Sequence, residues 1–430
     1  MNPHLTTSFK EPLLELERKI LEATPAIERW FRLKWQDHTP PFYCSVDLRN
    51  AGFKLAPVDT NLFPGGFNNL SQEMLPLAVQ ATIAAIEKYC PDAKNLMLIP
   101  EAHTRNTYYR QNIERLIQIL QMAGLNVHIG VLTEEGLQTG SVSMPDGTVI
   151  VPEKITRINN GRRAGSKDFN PCMVLLNNDL SSGNTELLEN LYEQSILPPL
   201  HAGWTIRRKS NHFAAYDEMV RGFAKLMEID PWIINPFFNK CGEVNFTTRE
   251  GEECLAENVH SLLQRIRRKY KEYRISEPPF VIVKADAGTY GMAIMSVKDA
   301  SEIKGLNRKQ RNKMSVAKDG LEVREVILQE GVYSFEQVDG AVAEPVVYMI
   351  DRYVVGGFYR VHDERSNTEN LNAPGAHYVP LPFAQPHALP DKNAKPGTVA
   401  PNRFYMYGVI ARLALLAASV ELEKTDPTEY

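Results

Sequence analysis

The 430-residue sequence has few cysteines and no cysteine or histidine pattern that is typical of a metal site. Its five cysteines are an odd number, and no Cys-x-x-Cys or His-Glu-x-x-His sequence occurs. A disulfide framework and a structural zinc site are therefore not expected, and any bound metal should have oxygen ligands. The cysteines are interpreted as small apolar fillers in a reducing cytosol, which predicts a cytoplasmic location.

The sequence also lacks an excess of positive charge, a secretory signal and a long apolar run. Lys and Arg number 48 against 52 Asp and Glu, so the composition gives no support to a nucleic-acid partner. No basic segment followed by an apolar run occurs at the N-terminus. The most apolar stretch, Val409 to Val420, is interrupted by Arg412 and is shorter than the ~20 residues of a membrane span. It predicts a buried helix, and no membrane partner is expected.

What the sequence does have is an alternation of predicted strands and helices in its middle part. Helical patterns alternate with apolar strands at Asn95–Pro100, Asn126–Leu132 and Cys172–Leu176, and a further helix is predicted near 184–194. Such alternation is typical of a parallel sheet covered by helices, so the predicted fold class is α/β (α+β). Soft domain edges near residues 70 and 240 divide the chain into three predicted parts: 1–70, 71–240 and 241–430.

A strand, a glycine loop and a returning strand at Phe280–Val297 form an informative pattern. The first strand delivers Lys284, and Gly288 and Gly291 follow it. Glycines allow backbone N–H groups to approach phosphate oxygens, and a lysine supplies a point charge to them. The pattern is neither a Walker A loop nor a Rossmann fingerprint. An ordinary glycine hairpin is the competing interpretation.

Later segments favour phosphate binding. The strand that begins at Val326 ends in Gln329-Glu330, which could present backbone groups to an adenine edge and a carboxylate to a ribose. A hairpin then delivers Arg360, a candidate phosphate clamp, although a surface arginine at a strand end is the alternative. The loop 367–375 that follows is rich in amides and short side chains.

In this order the parts resemble the ATP-grasp fold, in particular that of bacterial glutathione synthetases. Their loop Gly-Asn-Leu-Ala-Ala-Gly-Gly is similar to Asn370-Leu-Asn-Ala-Pro-Gly375 at Asn370, Leu371, Ala373 and Gly375. Over nearly its whole length the chain resembles a proteobacterial family of glutamate–cysteine ligases distinct from the better-known type. Two stretches carry this likeness: Pro57-Val-Asp-Thr-Asn-Leu-Phe-Pro-Gly-Gly-Phe-Asn-Asn69 and Val283-Lys-Ala-Asp-Ala-Gly-Thr-Tyr-Gly-Met292.

The resemblance implies an ATP- and Mg²⁺-dependent ligase that joins glutamate and cysteine through a γ-glutamyl phosphate, the first step of glutathione biosynthesis. The alternatives are another ATP-grasp carboxylate–amine ligase and a nucleotide-binding regulator that has lost catalysis. Lys284 and Arg360 are the expected catalytic residues, because they would neutralise phosphates. A homo-oligomer is left open. The expected nucleotide contacts are Lys284, Asp286, Gly288, Thr289, Tyr290, Gly291, Gln329, Glu330, Val332, Arg360 and Asn370.

One part of the glutathione synthetase pattern is missing, because the chain stops at Tyr430 without the two strands that should deliver metal ligands after the last helix. A replacement is predicted near the other end. Asp47 lies on one predicted strand, and Asp59 and Asn61 lie two apart on the next, so these two share a face. Carboxylate and amide oxygens suit magnesium. We therefore expect a circularly permuted ATP-grasp fold with these three residues as metal ligands, against the alternative that they cap turns.

A substrate carboxylate is expected to bind in the alternating α/β part, which would precede the grasp in the unpermuted order. The segment 204–213 loosely resembles a segment of glutathione synthetases. Its alternative interpretation is a solvated basic helix start. The Arg/Lys cluster 304–313 is expected to be a lid or a solvated face. The candidate substrate ligands are Arg207, Arg208, Ser210, Asn211, Asn370 and Asn372.

Overall fold

The structure, a computed structural model, describes residues 4–7, 9–102, 106–144, 147–183, 185–288, 292–316, 320, 322–380 and 390–427. Within these residues the α-helices are α1 (Glu11–Glu22), α2 (Thr24–Asp37), α3 (Leu75–Tyr89), α4 (Thr107–Met122), α5 (Lys209–Met227), α6 (Glu252–Glu272), α7 (Ser301–Lys304), α8 (Arg308–Met314) and α9 (Ala400–Lys424).

The strands are mostly short and belong to several sheets. Those in the first part of the chain are β1 (Leu5–Thr6), β2 (Tyr43–Asn50), β3 (Leu55–Asn61), β4 (Asn95–Pro100), β5 (Asn126–Val131), β6 (Val142–Ser143), β7 (Val149–Ile150), β8 (Glu153–Lys154), β9 (Thr156–Ile158) and β10 (Arg163–Gly165). Those that follow are β11 (Met173–Asn177), β12 (Ser195–Leu197), β13 (Phe238–Cys241), β14 (Val281–Ala285), β15 (Ile294–Val297), β16 (Val326–Glu330), β17 (Glu336–Val338), β18 (Ala341–Ile350), β19 (Tyr353–His362) and β20 (His377–Val379).

A seven-stranded antiparallel sheet, here called the central sheet, joins segments from both ends of the chain. Its middle strand, β18, pairs along one edge with β19, which in turn pairs with β20. Along its other edge β18 pairs first with β17 and then with β2. β3 extends this side by pairing with β2. Two strands from the N-terminal part therefore continue the sheet that the hairpin β18–β19 forms.

Alternating side chains along β2 give the central sheet one apolar and one polar face. Cys44, Val46 and Leu48 are fully buried in the same core as residues of α9. Ser45 and Asp47 point to the opposite face, because successive side chains of a strand alternate. This period of two determines which residues of β2 can line a site.

Helix α9 fills the apolar side of the central sheet. It is long and apolar enough to cross a membrane by length and composition, but 89% of its most apolar window is buried within the protein. A helix that is apolar all round and buried in this way is typical of a protein core. The prediction of a buried helix at Val409 to Val420 is confirmed.

A five-stranded sheet with parallel pairings forms a second layer, in the order β12-β11-β4-β5-β8. The predicted parallel sheet, with strands near 95–100, 126–132 and 172–176, is confirmed. The helix predicted near 184–194 is wrong, because residues 186–190 form turns and Asn190 has a φ of 55°. The spacing of Leu188 and Leu191 imitates a helical pattern there.

A four-stranded antiparallel sheet, here called the third sheet, has the order β13-β16-β14-β15. The predicted strand–loop–strand at Phe280–Val297 contains the hairpin β14–β15, in which Lys284 pairs with Ile294. Helix α6 packs near this sheet and shares its core through Leu255 and Val259, which are fully buried. The third sheet and the central sheet are the two surfaces between which the candidate site lies.

Lys54 connects the turn after β2 to the third sheet through a buried ion pair. Its side chain is 1% exposed, and its ammonium lies 2.9 Å from a carboxylate oxygen of Glu330. The ammonium also lies 4.2 Å from the ring centre of Trp232 and donates to the carbonyl oxygen of Asn235. Burial lowers the pKa of Lys54 to about 8, although Glu330 opposes the shift. Each charge of this pair depends on the other for neutralisation.

We expect the substitution Lys54→Met to lower the free energy of unfolding by about 3–5 kcal/mol, because it leaves the Glu330 carboxylate buried without its cation. Denaturant titration followed by circular dichroism measures this change. Lys304→Met is the matched control, since Lys304 and Glu253 form an exposed pair at 3.4 Å that should contribute less than about 1 kcal/mol. Equal losses in the two variants would contradict the prediction.

Candidate active site

Two adjoining clefts lie on the polar face of the central sheet. The first cleft, of about 760 Å³, lies between this sheet and the third sheet. Its lining residues are Asp47, Arg49, Val58, Asp59, Lys209, Ile282, Lys284, Ala285, Ala287, Gly288, Met292, Ile294, Gln329, Glu330, Val332, Glu344, Asn370 and Asn372. The structure thus brings together six of the predicted nucleotide contacts: Lys284, Gly288, Gln329, Glu330, Val332 and Asn370.

Lys284 is held in the first cleft by two hydrogen bonds. Strand β14 carries it, and its ammonium donates to the carbonyl oxygen of Val58 at 2.7 Å and to Oε1 of Gln329 at 2.8 Å. The residue is 5% exposed. Burial lowers the pKa of Lys284 to about 8, while the nearby Asp59 opposes this shift. The side chain therefore presents a fixed positive charge to the cleft at neutral pH.

Gln329 has a donor that no described residue satisfies. Because Lys284 donates to its Oε1, the orientation of the amide is set and Nε2 points elsewhere. Nε2 is buried and has no hydrogen-bond acceptor among the described residues. An unsatisfied buried donor costs about 1–3 kcal/mol. A ligand that offers an acceptor in this cleft would relieve that cost.

The carboxylate of Glu330 is already occupied by protein donors. It accepts hydrogen bonds from the ammonium of Lys54, from the indole nitrogen of Trp232 and from the backbone nitrogen of Phe237. The residue is 1% exposed. These contacts give the side chain a structural role in the third sheet. The expected contact between Glu330 and a ribose stays a prediction that the geometry does not support.

A row of acidic and basic side chains crosses the polar face of the central sheet. Asp59 on β3 lies opposite Asp47 on β2, and Glu344 on β18 lies opposite Arg360 on β19. One nitrogen of the Arg360 guanidinium donates to Asp47 and to Glu344, at 2.7 Å each. Arg49 binds the other oxygen of Glu344 at 2.9 Å. The predicted catalytic arginine thus lies between two carboxylates.

Burial makes these charges depend on one another. Glu344 is 2% exposed, and Arg360 is 8% exposed. Burial would lower the pKa of Arg360, but Asp47 and Glu344 outweigh it and hold that pKa well above its ordinary value. Burial raises the pKa of Asp47, and Arg360 only partly offsets this. An additional cation near Asp47 would therefore find a carboxylate that gains from neutralisation.

Asp59 receives its counter-ions from two other parts of the fold. The ammonium of Lys209, at the start of α5, lies 2.6 Å from its carboxylate. Enclosure between the clefts would raise the pKa of Asp59, but Lys209 and Lys284 outweigh it and hold the pKa below its usual range. Asp59 is therefore ionised at neutral pH.

Asp286 fixes the start of α5 rather than the rim of the cleft. Its carboxylate accepts hydrogen bonds from the backbone nitrogen of Ser210 at 2.7 Å and from the Ser210 hydroxyl at 2.6 Å. Its carbonyl oxygen accepts from the backbone nitrogen of Lys209 at 2.7 Å. The predicted nucleotide contact of Asp286 stays a prediction, and its contacts show a positioning role. Thr289, Tyr290 and Gly291, also predicted to bind nucleotide, lie outside the described residues.

The second cleft, of about 1310 Å³, opens beside the first and lies next to the parallel sheet. Amide, acidic and aromatic side chains dominate its surface. Its lining residues are Ser45, Asp47, Asp59, Asn61, Phe63, Gly65, Gly66, Asn68, Asn69, Glu101, Asn106, Tyr108, Tyr109, Asn177, Asp179, Trp204, Val346, Tyr348, Phe358, Arg360, Asn372 and Tyr378. The predicted turn 63–69 forms one side of it.

Asn177 holds that turn against the parallel sheet. Its Nδ2 donates to the carbonyl oxygen of Pro64 at 2.9 Å and to the Tyr43 hydroxyl at 3.1 Å. Its Oδ1 accepts from Asn112 and Tyr109, both on α4. One amide at the end of β11 therefore connects the turn, the central sheet and a helix of the parallel layer.

The two clefts meet at Asp47, Asp59 and Asn372, which line both of them. The cations Arg360 and Lys209 are bound to the two acids at this junction. A molecule in the first cleft and a molecule in the second cleft would therefore approach each other at a point where opposite charges converge. This arrangement suits the transfer of a charged group from one molecule to the other.

The segment 204–213 contains four predicted substrate ligands. None of them lines either of the two clefts that the described residues form. The guanidinium of Arg207 is buried against both carboxylate oxygens of Glu421, at 2.9 and 3.1 Å. Arg208 pairs with Glu325, and Ser210 bonds to Asp286. Their assignment to a substrate, with that of the exposed Asn211, stays a prediction without support from the geometry. Asn370 and Asn372, by contrast, line the site.

The sequence analysis did not predict three charged residues near the junction: Lys209, Glu344 and Arg49. Lys209 lies inside the segment that the sequence singled out, but its neighbours were chosen in its place. Glu344 and Arg49 alternate with buried apolar residues on β18 and β2. A buried position with a charge inside a period-two strand was the signal that could have found them.

The predicted metal ligands fit a magnesium ion only as a partial set. Asp47 and Asp59 offer oxygens at the junction, and Asn61 lines the second cleft, where its Oδ1 accepts from the backbone nitrogen of Phe63. In the part of the chain that the structure describes, no three or more His, Cys, Asp or Glu residues form a metal-binding group. Magnesium commonly takes one or two carboxylates and completes its shell with water and phosphate. The donor chemistry at the junction fits that pattern.

The two joined clefts offer space for two molecules side by side, and similarity to known proteins identifies the family as one of ligases. Residues 17–422 match the family described as "GshA: Glutamate-cysteine ligase". The chain therefore belongs to the glutamate–cysteine ligase family. No curated protein is significantly similar to it in sequence.

Two solved structures are similar to the chain to very different degrees. A protein from Methylobacillus flagellatus KT, provisionally named a gamma-glutamylcysteine synthetase, is 57% identical with a TM-score of 0.89, over 99% of this chain and 100% of that one. D-alanyl-alanine synthetase A from Vibrio cholerae O1 biovar eltor is 10% identical with a TM-score of 0.36, over 75% of this chain and 80% of that one. The second likeness is too weak to support an argument about the fold.

The turn 63–69 allows a test with adjacent glycines. Gly66 has a φ of +97°, and a Cβ there would lie 2.9 Å from the Tyr348 hydroxyl. We expect Gly66→Ala to lower the free energy of unfolding by about 1–3 kcal/mol, because the side chain strains a left-handed backbone. Thermal unfolding and the KM for amino-acid substrates measure the effect.

Gly65→Ala is the control, because a Cβ at Gly65 has no neighbour within 4 Å. This variant should stay within about 0.5 kcal/mol of the parent protein. Indistinguishable melting curves for the two alanine variants would refute the structural role of the Gly66 backbone.

Proposed function

We propose that the protein joins the γ-carboxylate of glutamate to the amine of cysteine at the expense of ATP. The observation that supports this proposal is the junction of the two clefts at Asp47, Asp59 and Asn372. ATP would occupy the first cleft and the amino acids the second. A reaction between them would take place where Lys209, Lys284 and Arg360 supply positive charge.

The first step is phosphoryl transfer. An oxygen of the glutamate γ-carboxylate attacks the γ-phosphorus of ATP, the bond to the β,γ-bridging oxygen breaks, and ADP leaves. The product is γ-glutamyl phosphate, and no proton is needed. The protein contributes mostly position and charge neutralisation. Lys284 would bind phosphate oxygens from the third sheet, and Arg360 would bind them from the central sheet.

The second step is amide formation. The amine of cysteine attacks the acyl carbon, the bond to the phosphate oxygen breaks, and inorganic phosphate leaves with the electron pair. The nitrogen loses one proton as the amide forms, and the leaving phosphate carries this proton away as hydrogen phosphate. Water must be kept from the acyl phosphate until the amine attacks. The aromatic side chains of the second cleft would help to exclude it.

Magnesium, when bound, would neutralise the phosphates and orient them for in-line transfer. Asp47 and Asp59 are the proposed ligands, with Asn61 as a third oxygen donor. This proposal is supported by the cross-strand position of the two acids and by their place at the junction. Each acid is bound to a cation of the protein, so binding of a metal involves an exchange of partners.

We propose that the arrangement is a circularly permuted ATP-grasp fold. Support comes from β2 and β3, which pair onto the hairpin β18–β19 and bring Asp47 to Arg360. The parts 1–70, 71–240 and 241–430 are proposed as its metal-binding strands, substrate domain and nucleotide-binding region. The free cysteines among the described residues support the proposed cytoplasmic location.

The experiment that tests the function is a ligation assay on the purified protein. With ATP, Mg²⁺, glutamate and cysteine we expect ADP, phosphate and γ-glutamylcysteine in equal amounts, measured by mass spectrometry. Glutamate labelled with ¹⁸O in its γ-carboxylate should transfer one label to phosphate, as an acyl phosphate requires. Turnover with γ-glutamylcysteine and glycine but not with glutamate and cysteine would favour a glutathione synthetase-like ligase and contradict the proposal.

The lowered pKa of Lys284 predicts how nucleotide binding depends on pH. Its ammonium is charged below about pH 8 and loses its proton above it, while the charge of ATP is constant in this range. We expect the Kd for ATP to rise by up to about tenfold per pH unit above pH 8, because binding then requires proton uptake. Isothermal titration calorimetry between pH 7 and pH 9.5 measures this rise.

Lys284→Arg is the matched variant, because a guanidinium stays charged throughout this range. Its Kd for ATP should change little with pH, even if its affinity is lower at neutral pH. A wild-type Kd that is flat up to pH 9.5 would show that Lys284 does not bind the phosphates in its charged form.

A further inference from the structure

Lys209 is placed at the point where the two clefts meet. It is the first residue of α5, its side chain is 7% exposed, and it lines the first cleft. Its ammonium lies 2.6 Å from Asp59, one of the acids that line both clefts. A lysine in this position is within reach of any group that passes from one cleft to the other.

Trp204 contacts the ammonium of Lys209, and Asp286 holds the backbone at the start of α5. The ammonium lies 4.5 Å from the ring centre of Trp204, a favourable cation–π distance. Asp286 binds the backbone nitrogens of Lys209 and Ser210, so the first N–H groups of the helix are already satisfied. The side chain of Lys209, and not the helix terminus, is therefore what α5 contributes to the junction.

The charged side chains at the junction have a net positive charge, which favours the binding of anions. Among the described residues there, four cationic side chains meet three carboxylates. The cations are Arg49, Lys209, Lys284 and Arg360, and the carboxylates are Asp47, Asp59 and Glu344. Arg49 and Arg360 share Glu344, and Arg360 also holds Asp47. Lys209 is the cation whose described ion pair is with Asp59 alone.

We propose that Lys209 is a catalytic residue that exchanges partners during the reaction. In the protein without nucleotide it neutralises Asp59. With a divalent cation held at Asp59 in its place, the ammonium of Lys209 would be free to bind the oxygens of the transferring phosphoryl group. The inference rests on the proposed function. The flexible four-carbon stem of a lysine permits such a movement.

A purely structural ion pair is the competing explanation, and the two make opposite predictions about metal binding. If Lys209 competes with a metal for Asp59, its removal should make metal binding tighter. If the pair only holds α5 in place, its removal should weaken every function of the junction together. The two readouts below separate these cases.

The first readout is the binding of Mn²⁺ to the protein without nucleotide, measured by the loss of the electron paramagnetic resonance signal of free Mn²⁺. We expect Lys209→Met to lower the Kd for Mn²⁺ by about 5- to 10-fold, as removal of one competing ion pair would do. Asp59→Asn should weaken Mn²⁺ binding. An unchanged or higher Kd in Lys209→Met would overturn the proposal.

The second readout is the kinetics of ligation. Lys209→Met should lower kcat by about 100-fold or more, because a charge that stabilises the transferring group is lost. The KM for ATP should change by less than about 5-fold, since Lys284 and Arg360 still bind the nucleotide. Lys209→Arg should recover part of the lost kcat. A kcat within about threefold of wild type in Lys209→Met would also overturn the proposal.

Lys225→Met is the matched control, because Lys225 is an exposed lysine on the same helix and should leave both readouts unchanged. Circular dichroism verifies that each variant is folded, and Lys209→Gln replaces the methionine variant if that one is not. A wild-type protein that binds Mn²⁺ but does not ligate glutamate and cysteine would refute the proposed function. The Mn²⁺ comparison between wild type and Lys209→Met would still decide the exchange of partners at Asp59.

Discussion

The antiparallel pairing of β2 with β18 is the contact on which the rest of the site depends. It places Asp47 beside Val346 and, through it, near Arg360, which lies 313 positions later in the chain. The apolar side of the same strands is covered by α9, so the polar side chains must point to the other face. Because most of these charges are buried, each needs a partner from a neighbouring strand. The row of charges is thus a consequence of the strand order.

Much of this could be predicted from the sequence, because the signals are local. Period-two alternation in β2, the spacing of Asp59 and Asn61, and the glycine loop after Lys284 each lie within about ten residues. The alternation of strands 95–100 and 126–132 with helices also predicted the parallel sheet. The resemblance to a ligase family then supplied the reaction, and the family is confirmed. The assignment of individual residues to metal or nucleotide stays a prediction.

What could not be predicted depends on partners that are distant in sequence. Arg207 was predicted to bind a substrate, but its guanidinium is bound to Glu421, 214 positions later in the chain. Nothing in the basic segment around Arg207 indicates this distant partner. Glu330 was chosen for a ribose, but Lys54 and Trp232 occupy its carboxylate. Lys209 was not predicted, because its partner is also distant in sequence. Its importance lies in its contact with Asp59, which no local pattern contains.

These contacts also indicate how a site can be charged and yet stable before a ligand arrives. An unpaired carboxylate at the junction would carry a desolvation penalty in the free protein, and an unpaired guanidinium would carry another. Pairing them within the protein offsets these penalties and holds the charges close to the position of the transferring phosphate. Catalysis by preorganised charge needs this arrangement, because little reorganisation then remains for the reaction itself. The same pairing sets a condition on binding: a nucleotide and its metal must offer each released group a partner at least as good as the one it leaves.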